Sequence, residues 1–218
     1  MNARSLAAGR TATDRADGRP SEAAVRVQGA ARQLFYERGY LATSIRDLAS
    51  ACGVTPGAIY NHFASKHDLL YSIIRSTHEV LDQRLFNAVT SAGPAPHDQL
   101  RSLVTSFVEY NCLHPEEARV TNREYVQLPV ELLNSVLVMR RRIRSMFVNV
   151  LVRGQELGEF EIAGGRTSPV AVVAMAIINM CILAAEWYDP AGPLPVDAVA
   201  AVHAGMAVRM VSRRVSGE

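Results

Sequence analysis

The sequence predicts an all-α protein of about nine helices, and three observations lead to that prediction. Apolar residues recur at i, i+3, i+4 and i+7 along most of the chain, while no segment alternates at period two, so we expect no β-sheet. Hydrophobic residues make up 49% of the 218 positions and aromatic residues only 6%, which is typical of a helical protein rich in Ala, Val and Leu. Gly and Pro separate the periodic segments, as helix ends require. The length allows one or two domains with a sizeable core.

The first twenty residues are rich in Ala, Arg, Gly and Thr and show no periodicity, so we expect residues 1–20 to be disordered. They form a basic arm with four arginines. Two interpretations stay open: the arm follows a DNA backbone or enters a minor groove, or it is a soluble tail without function. The arginines are Arg4, Arg10, Arg15 and Arg19.

The first two helices follow this arm. The first extends from Ser21 to about Arg38, with a glycine after it as the stop signal. The second begins at Thr43 or Ser44, either of which is a good N-cap, and Gly53 ends it by adopting a positive φ without a Cβ clash. Its buried stripe at helical spacing is Ile45, Leu48, Ala49 and Cys52.

The third helix is short, and its outer face is built from small and polar residues. Ile59 and Phe63 point inward together, whereas Gly57 and Asn61 point the opposite way. Small residues let a backbone approach a base-pair edge, and polar groups reach base edges or phosphate oxygens. Two helices joined by a tight turn make a helix-turn-helix. Its outer residues are Thr55 as N-cap, Pro56, Gly57, Ala58, Tyr60, Asn61 and His62.

A fourth helix runs from near Ser65 to about Thr90, and a Ser-x-x-Asp capping pattern marks its start. Lys66, the only lysine of the chain, lies in its first turn, where a long cationic side chain can reach a DNA backbone. The helix is about 35 Å long at 1.5 Å per residue, so it can transmit a displacement from one end to the other. The segment 92–96, Ala-Gly-Pro-Ala-Pro, then breaks the chain. The predicted core face of this helix is Leu69, Leu70, Ile73, Ile74, Thr77, Leu81 and Leu85.

Five more helices are predicted beyond this break, each ended by Pro, Gly or a polar loop. The segment 169–185 has no charge, but it is short for a membrane span and contains Asn179, so we expect a helix buried on several faces. The predicted ranges are 97–112, 115–127, 129–157, 168–187 and 194–214.

The segment GVTPGAIYNHFASKHDLL, preceded by TSIRDLA, resembles the DNA-binding domain of the TetR family of bacterial transcriptional regulators. The resemblance is specific over about residues 25–81 and architectural beyond. It implies a helix-turn-helix domain at 21–66 and a ligand-binding and dimerisation domain at 67–218. The implied function is a dimeric repressor that a small-molecule effector releases from a palindromic double-stranded DNA operator. A ligand-independent or activating regulator of the same fold is the alternative.

The resemblance also assigns roles to individual residues of the helix-turn-helix. Those that face bases are Arg46, Thr55, Pro56, Gly57 and Ala58, and those that mostly hold phosphates are Ser44, Tyr60, Asn61, His62 and Lys66.

The last two predicted helices are apolar nearly all round, so each needs more than one burying partner. The economical arrangement buries one side in the chain's own domain and the other against a second copy. Helices 168–187 and 194–214 of two protomers would then form a four-helix interface, as in the resembled family. Two-fold symmetry would place two reading helices one DNA turn apart.

The second domain is expected to bind the effector, a hydrophobic compound, with anionic compounds and acyl-CoA thioesters as candidates. The segment 187–194, WYDPAGPL, resembles actinobacterial members of the family that respond to acyl-CoA or steroid-derived ligands. For each lining residue, ordinary core packing is the alternative. The candidate lining residues are Phe107, Tyr110, Asn122, Tyr125, Phe147, Met175, Asn179 and Trp187.

Four arginines cluster on the helix predicted at 129–157. Because successive residues point about 100° apart, the four cannot share one face. Most are expected to be solvated or paired with nearby acids; the alternative is that one or two line a pocket mouth and hold a carboxylate or phosphate. The arginines are Arg140, Arg141, Arg142 and Arg144, and the acids are Glu116, Glu117 and Glu124.

Composition bounds the remaining classes. Residues 1–66 carry nine basic against five acidic side chains, which is the charge pattern of a nucleic-acid-binding end. The three cysteines Cys52, Cys112 and Cys181 lie far apart in apolar contexts, so we expect reduced thiols, with a redox sensor as the alternative. No catalytic or metal-binding motif is present and the six histidines are dispersed, so we expect no enzyme, metal or cofactor. No signal peptide is apparent, so we expect a cytoplasmic protein that does not enter a membrane.

Overall fold

The computed structural model describes residues 21–162 and 170–212, and within these ranges the chain is helical. Its one β-type pairing there is an isolated antiparallel bridge between Phe160 and Ser212. The predicted basic arm lies outside the described residues, as do the predicted helix ends at 168–169 and 213–214. The helices are α1 Glu22–Arg38, α2 Ile45–Cys52, α3 Pro56–Tyr60, α4 Lys66–Ser91, α5 Pro96–Leu113, α6 Pro115–Arg123, α7 Val130–Glu156, α8 Val170–Trp187 and α9 Val196–Val211.

The N-terminal helices begin and end at the predicted caps. The side chains of Ser21, Ser44, Thr55 and Ser65 each accept a hydrogen bond from a backbone N–H three residues later. These bonds satisfy donors that a helix start leaves without a partner. Gly53 ends α2 with φ +65° and ψ +34°, a left-handed conformation that glycine adopts without a Cβ clash.

The predicted helix 115–127 is shorter in the structure. It ends at Arg123, and Tyr125–Gln127 form a single 3-10 turn. Pro129 explains why the chain cannot stay helical up to its own position, because a proline disfavours the helical conformation of the residue before it. Leu128 is accordingly extended, with φ −74° and ψ 143°, and the chain tightens before it turns.

Two hydrophobic cores share the long helix α4. Its first half contributes Leu69 and Ile74 to a core with α1, α2 and α3, which residues of α6 and α7 also join. Its second half contributes Leu81 and Leu85 to a larger core with α5, α7, α8 and α9. All seven residues of its predicted core face are buried. The two cores are therefore connected by one continuous helix.

The helices α8 and α9 bury one side and leave an apolar stripe exposed on the other. Among the described residues, α8 is the helix that is long and apolar enough to cross a membrane by length and composition, with a mean hydropathy of 2.1 and 33% of that window buried. Trp187 of α8 stacks on His203 of α9, with ring centroids 6.0 Å apart. The large exposed apolar residues are Val172, Met175, Leu183 and Trp187 on α8 and Val202, Met206 and Met210 on α9.

Candidate nucleic-acid interface and ligand cavity

The helix α3 is held against α2 by a short turn and two buried anchors. The N–H of Val54 donates to the carbonyl of Ala49, 2.9 Å away, which closes the turn at Gly53. Leu48 of α2 and Ile59 of α3 are fully buried. This geometry leaves the N-terminal end and the outer face of α3 open to solvent, as the sequence predicted.

The ten residues proposed for DNA contact lie together on this end of the molecule. Among them Ala58, His62 and Lys66 are partly buried, and the other seven are exposed. Tyr60 is 52% exposed although it is aromatic. Nδ1 of His62 lies 3.4 Å from Oγ of Ser21, which connects the end of α3 to the start of α1.

Ser44 and Lys66 are also engaged within the chain, beside the contacts of Thr55 and His62 already described. The backbone N–H and the hydroxyl of Ser44 both donate to Oδ2 of Asp47, at 2.7 and 2.6 Å, and these bonds lower the pKa of that carboxyl. Nζ of Lys66 donates to the carbonyl of Tyr40 and lies 4.0 Å from the centre of its ring. Burial lowers the pKa of Lys66. From the sequence we had expected a free cationic side chain, not one in contact with Tyr40.

A cavity of about 230 Å³ opens between α4, α5, α6, α7 and α8. Its floor is polar and buried, since Thr77, His78, Asn111 and Thr121 are each at most 5% exposed. Asn179 and Arg141, by contrast, are exposed at its mouth. The remaining lining residues are Leu81, Phe107, Tyr110, Ala118, Asn122, Leu137, Arg140, Ile143, Arg144, Met175, Ile178 and Ile182.

The sequence predicted some of these lining residues and missed the floor. Five of its eight candidates line the cavity, namely Phe107, Tyr110, Asn122, Met175 and Asn179. The floor was missed because a polar residue on the apolar face of a helix gives no signal of which neighbour it faces. Thr77, for example, was predicted only as part of the α4 core face.

Three candidates do not line this cavity, and their role in ligand binding stays a prediction. Phe147 is fully buried in the core, where its ring centre lies 6.2 Å from that of Phe107. Tyr125 lies outside the lining and supports it, with the Arg140 guanidinium 4.5 Å from its ring centre. Trp187 is 52% exposed on the outer face of α8.

The structure divides the arginine cluster between the two expectations, and more of its members line a cavity than the alternative of one or two. Arg140, Arg141 and Arg144 line the cavity, and none of them makes an ion pair with a described acidic residue. Arg142 points elsewhere and pairs with Asp82 at 2.8 Å. A guanidinium of Arg140 donates to Oδ1 of Asn122 at 3.1 Å, and burial lowers its pKa, although an arginine stays charged at neutral pH.

The short helix α6 contacts both the cavity and the helix-turn-helix domain. The hydroxyl of Tyr110 donates to Oε2 of Glu117 at 2.6 Å, and Arg32 of α1 donates to Oε1 of the same carboxylate at 2.7 Å. One carboxylate on α6 therefore joins a cavity residue to the first helix. Burial, and then Glu117, raise the pKa of Tyr110, so its hydroxyl keeps its proton and acts as the donor.

A second connection runs through Arg119 of α6. Its guanidinium donates to the hydroxyl of Tyr36 on α1 at 2.8 Å, and to the carbonyls of Ala185 and Glu186 at the end of α8 at 2.8 and 3.1 Å. A cation at the C-terminal end of a helix also interacts favourably with its dipole. Through α6, the apolar helix α8 is thus connected to the domain that carries α3.

The three cysteines are free thiols, and burial raises the pKa of each. The pKa of Cys112 rises to about 11. A protonated thiol is a poor nucleophile and a poor metal ligand. Across residues 21–162 and 170–212 no group of three His, Cys, Asp or Glu side chains is placed to hold a metal ion.

The chain matches two family models and resembles characterised regulators along most of its length. Residues 29–73 match the model of bacterial regulatory proteins of the tetR family, and residues 93–211 match the Tetracyclin repressor-like C-terminal domain. The HTH-type transcriptional repressor KstR2 of Mycobacterium tuberculosis is 30% identical over 170 residues, which cover 78% of this chain and 82% of that protein.

Solved structures have the same fold. A tetR-family regulatory protein from Rhodococcus RHA1 superposes with a TM-score of 0.82 at 29% identity, covering 88% of this chain and 98% of the other. AibR in complex with isovaleryl coenzyme A and operator DNA superposes with a TM-score of 0.72, covering 85% and 97%, and its 21% identity shows the fold alone. The chain belongs to the TetR family of bacterial transcriptional regulators and is a DNA-binding regulator of transcription.

Proposed function

We propose that this regulator is a homodimeric cytoplasmic repressor that an amphipathic anion releases from a palindromic operator. The observation that carries the proposal is the position of the arginine-lined cavity. Its Tyr110 is connected through one carboxylate on α6 to α1 of the helix-turn-helix domain. A displacement caused by a compound that binds in this cavity can therefore be transmitted through these contacts to the DNA-binding helices.

The exposed N-terminal half of α3 enters the major groove. Arg46 and the residues from Thr55 to Ala58 face the bases, because they are small or carry a donor that reaches base edges. Tyr60, Asn61 and His62 hold phosphates. The Ser44 hydroxyl can join them only by exchanging Asp47 for a phosphate oxygen, whereas Lys66 uses one of its three N–H donors on the Tyr40 carbonyl and can offer the others. A phosphate is the stronger acceptor for Lys66, since that bond joins opposite charges.

The second copy of the chain covers the exposed apolar stripes of α8 and α9. On α8 the stripe contains Val172 and Leu183, which are 65% and 55% exposed, at spacings that keep them on one side of the helix. A contiguous apolar surface of this kind marks an interaction site. In a two-fold dimer the same surface of each protomer faces its copy, so α8 and α9 of the two protomers can bury each other's apolar residues.

The effector carries a negative charge and an apolar body. Three arginines without acidic partners make the cavity a favourable site for a carboxylate, a phosphate or the phosphates of an acyl-CoA thioester. Leu81, Phe107 and Ile178 provide the apolar wall. AibR, whose fold this chain shares, is a precedent for one regulator that binds both an acyl-coenzyme A and an operator.

Fluorescence anisotropy with a labelled duplex from the upstream region of the gene tests the proposal. We expect saturable binding with two protomers per site, and loss of binding when octanoyl-coenzyme A is added. The variant Arg140→Met should keep the operator affinity but respond only at higher octanoyl-coenzyme A concentration. Arg142→Met is the matched control, because Arg142 pairs with Asp82 outside the cavity. Equal responses of the two variants would contradict the assignment of the anion site.

A further inference from the structure

The floor of the cavity contains polar side chains that an apolar ligand would leave unsatisfied. Thr121, Asn111 and His78 are 4%, 2% and 5% exposed. Burying a polar group without a hydrogen bond is unfavourable, so such groups are rare in folded proteins. Asn111 has a partner, because its Nδ2 donates to the carbonyl of Cys181 at 3.0 Å. The other two side chains keep unused hydrogen-bonding capacity.

The hydroxyl of Thr121 has no hydrogen-bond partner among the described residues, although it lies on a helix. A helical Ser or Thr usually satisfies its hydroxyl by donating to a carbonyl one turn earlier. Within the described ranges of this chain, five other helical hydroxyls do so, whereas the buried hydroxyl of Thr121 does not. The five are Ser72, Ser76, Thr90, Ser135 and Ser145.

His78 offers an acceptor at the same floor. Its Nδ1 lies 2.8 Å from the carbonyl of Ile74, and because a carbonyl only accepts, Nδ1 carries the hydrogen. Burial lowers the pKa of His78, so the ring is neutral and Nε2 is an acceptor. Nε2 makes no hydrogen bond to another described residue. The floor thus combines a hydroxyl with an imidazole acceptor, while Arg141 is exposed at the mouth.

We propose that the effector carries, at the end remote from its acidic group, a neutral oxygen that hydrogen-bonds to Thr121 at the cavity floor. This inference rests on the proposed function, since it concerns the ligand of the same cavity. A carbonyl oxygen accepts from the Thr121 hydroxyl. The oxygen of a hydroxyl group accepts in the same way. The ligand class is therefore an ω-hydroxy or ω-oxo amphipathic acid rather than a plain fatty acid.

Matched pairs of acids test the inference directly. Hexanoate, octanoate and decanoate are each compared with their ω-hydroxy counterparts by isothermal titration calorimetry, so that chain length is sampled as well as the oxygen. At the best-fitting length we expect the hydroxy acid to bind about three- to tenfold more tightly, which corresponds to one neutral hydrogen bond. A parent acid that binds as tightly as its hydroxy counterpart at every length would overturn the inference.

The variant Thr121→Val removes the hydroxyl and keeps the shape of the side chain, whereas Thr121→Ser keeps the hydroxyl. In Thr121→Val the preference for the hydroxy acid should vanish while the affinity for the parent acid stays the same, and in Thr121→Ser the preference should remain. Thermal denaturation separates recognition from a structural role. Because the hydroxyl has no partner, Thr121→Val should keep or raise the Tm. A lower Tm together with an unchanged ligand preference would overturn the proposal.

Thr77→Val is the control within the same cavity, because Thr77 is also a buried threonine of the floor. We expect this variant to keep the preference for the hydroxy acid. The same measurements distinguish a failure of the proposed function from a failure of the Thr121 contact. If no acid binds, or if binding leaves the operator affinity unchanged, the proposed function is wrong. If acids bind and release the operator without regard to the remote oxygen, only the inference about Thr121 is wrong.

Discussion

Replacement of Tyr110 by Phe deletes one oxygen and tests the connection between the cavity and α1. The hydroxyl donates to Oε2 of Glu117 at 2.6 Å, and a hydrogen bond to a charged group contributes about 1.5–3 kcal/mol. Because the Glu117 side chain is 23% exposed, we expect the lower part of that range, about 1.5–2 kcal/mol. For a chain of this size that lowers the Tm by about 3–8 °C.

The same variant should weaken the response of DNA binding to a ligand. The free energy of coupling between two sites is typically about 1–3 kcal/mol, and Tyr110→Phe removes one of its physical links. We expect the ratio of operator Kd values with and without octanoyl-coenzyme A to fall by about three- to tenfold. Tyr125→Phe is the matched control, since Tyr125 is a partly buried tyrosine outside the cavity lining. If both variants keep the wild-type Tm and the wild-type ratio, the reasoning is refuted.

A comparison of two Arg–Glu ion pairs provides a second control for the connection between the cavity and α1. Arg32 and Glu117 are 36% and 23% exposed, and Arg84 and Glu109, which also join two helices, are 39% and 29% exposed. Each pair contributes about 0–1 kcal/mol to stability because it is partly exposed. Arg32→Gln should lower the release ratio, whereas Arg84→Gln should change only the Tm. A lower release ratio in Arg84→Gln would indicate general loosening of the structure instead of a defined route.

Three further predictions concern the DNA-reading end and the buried histidine. Arg46→Ala should cost about 1–3 kcal/mol of operator binding and relax discrimination at one base position. Tyr60→Ala should instead weaken binding to all duplexes alike. Fluorescence anisotropy with single-base operator variants distinguishes the two effects. Gly53→Ala should destabilise the protein by about 1–2 kcal/mol in urea unfolding, because φ is +65° there, while the same change at the unstrained Gly57 should cost less. The pKa of His78 is lowered from 6.5 in the folded protein, so stability that is present above pH 6.5 is lost as the pH falls toward the folded value. His78→Gln should flatten that fall in Tm, and a parallel fall in both proteins would exclude His78 as its cause.

The local parts of this structure were predictable because their causes are local. An N-cap needs one side chain and one backbone N–H three residues away, so Thr55 and Ser65 predicted where α3 and α4 begin. The outward direction of Asn61 follows from 100° per residue and the buried Ile59. The cavity lining was predicted less well, because aromatic character alone does not separate Tyr110, which lines it, from Phe147, which packs behind it.

The amino-acid sequence by itself determined the helical class, the caps and turn of the reading helix, and the family, since each depends on residues within a few turns of one another. Only the tertiary structure decided which arginines of α7 turn into the cavity and which one pairs with Asp82. It also decided that Glu117 lies between Tyr110 and Arg32, residues 78 positions apart in the chain. Such neighbours depend on how distant helices pack, and a helix's own periodicity does not specify its partner.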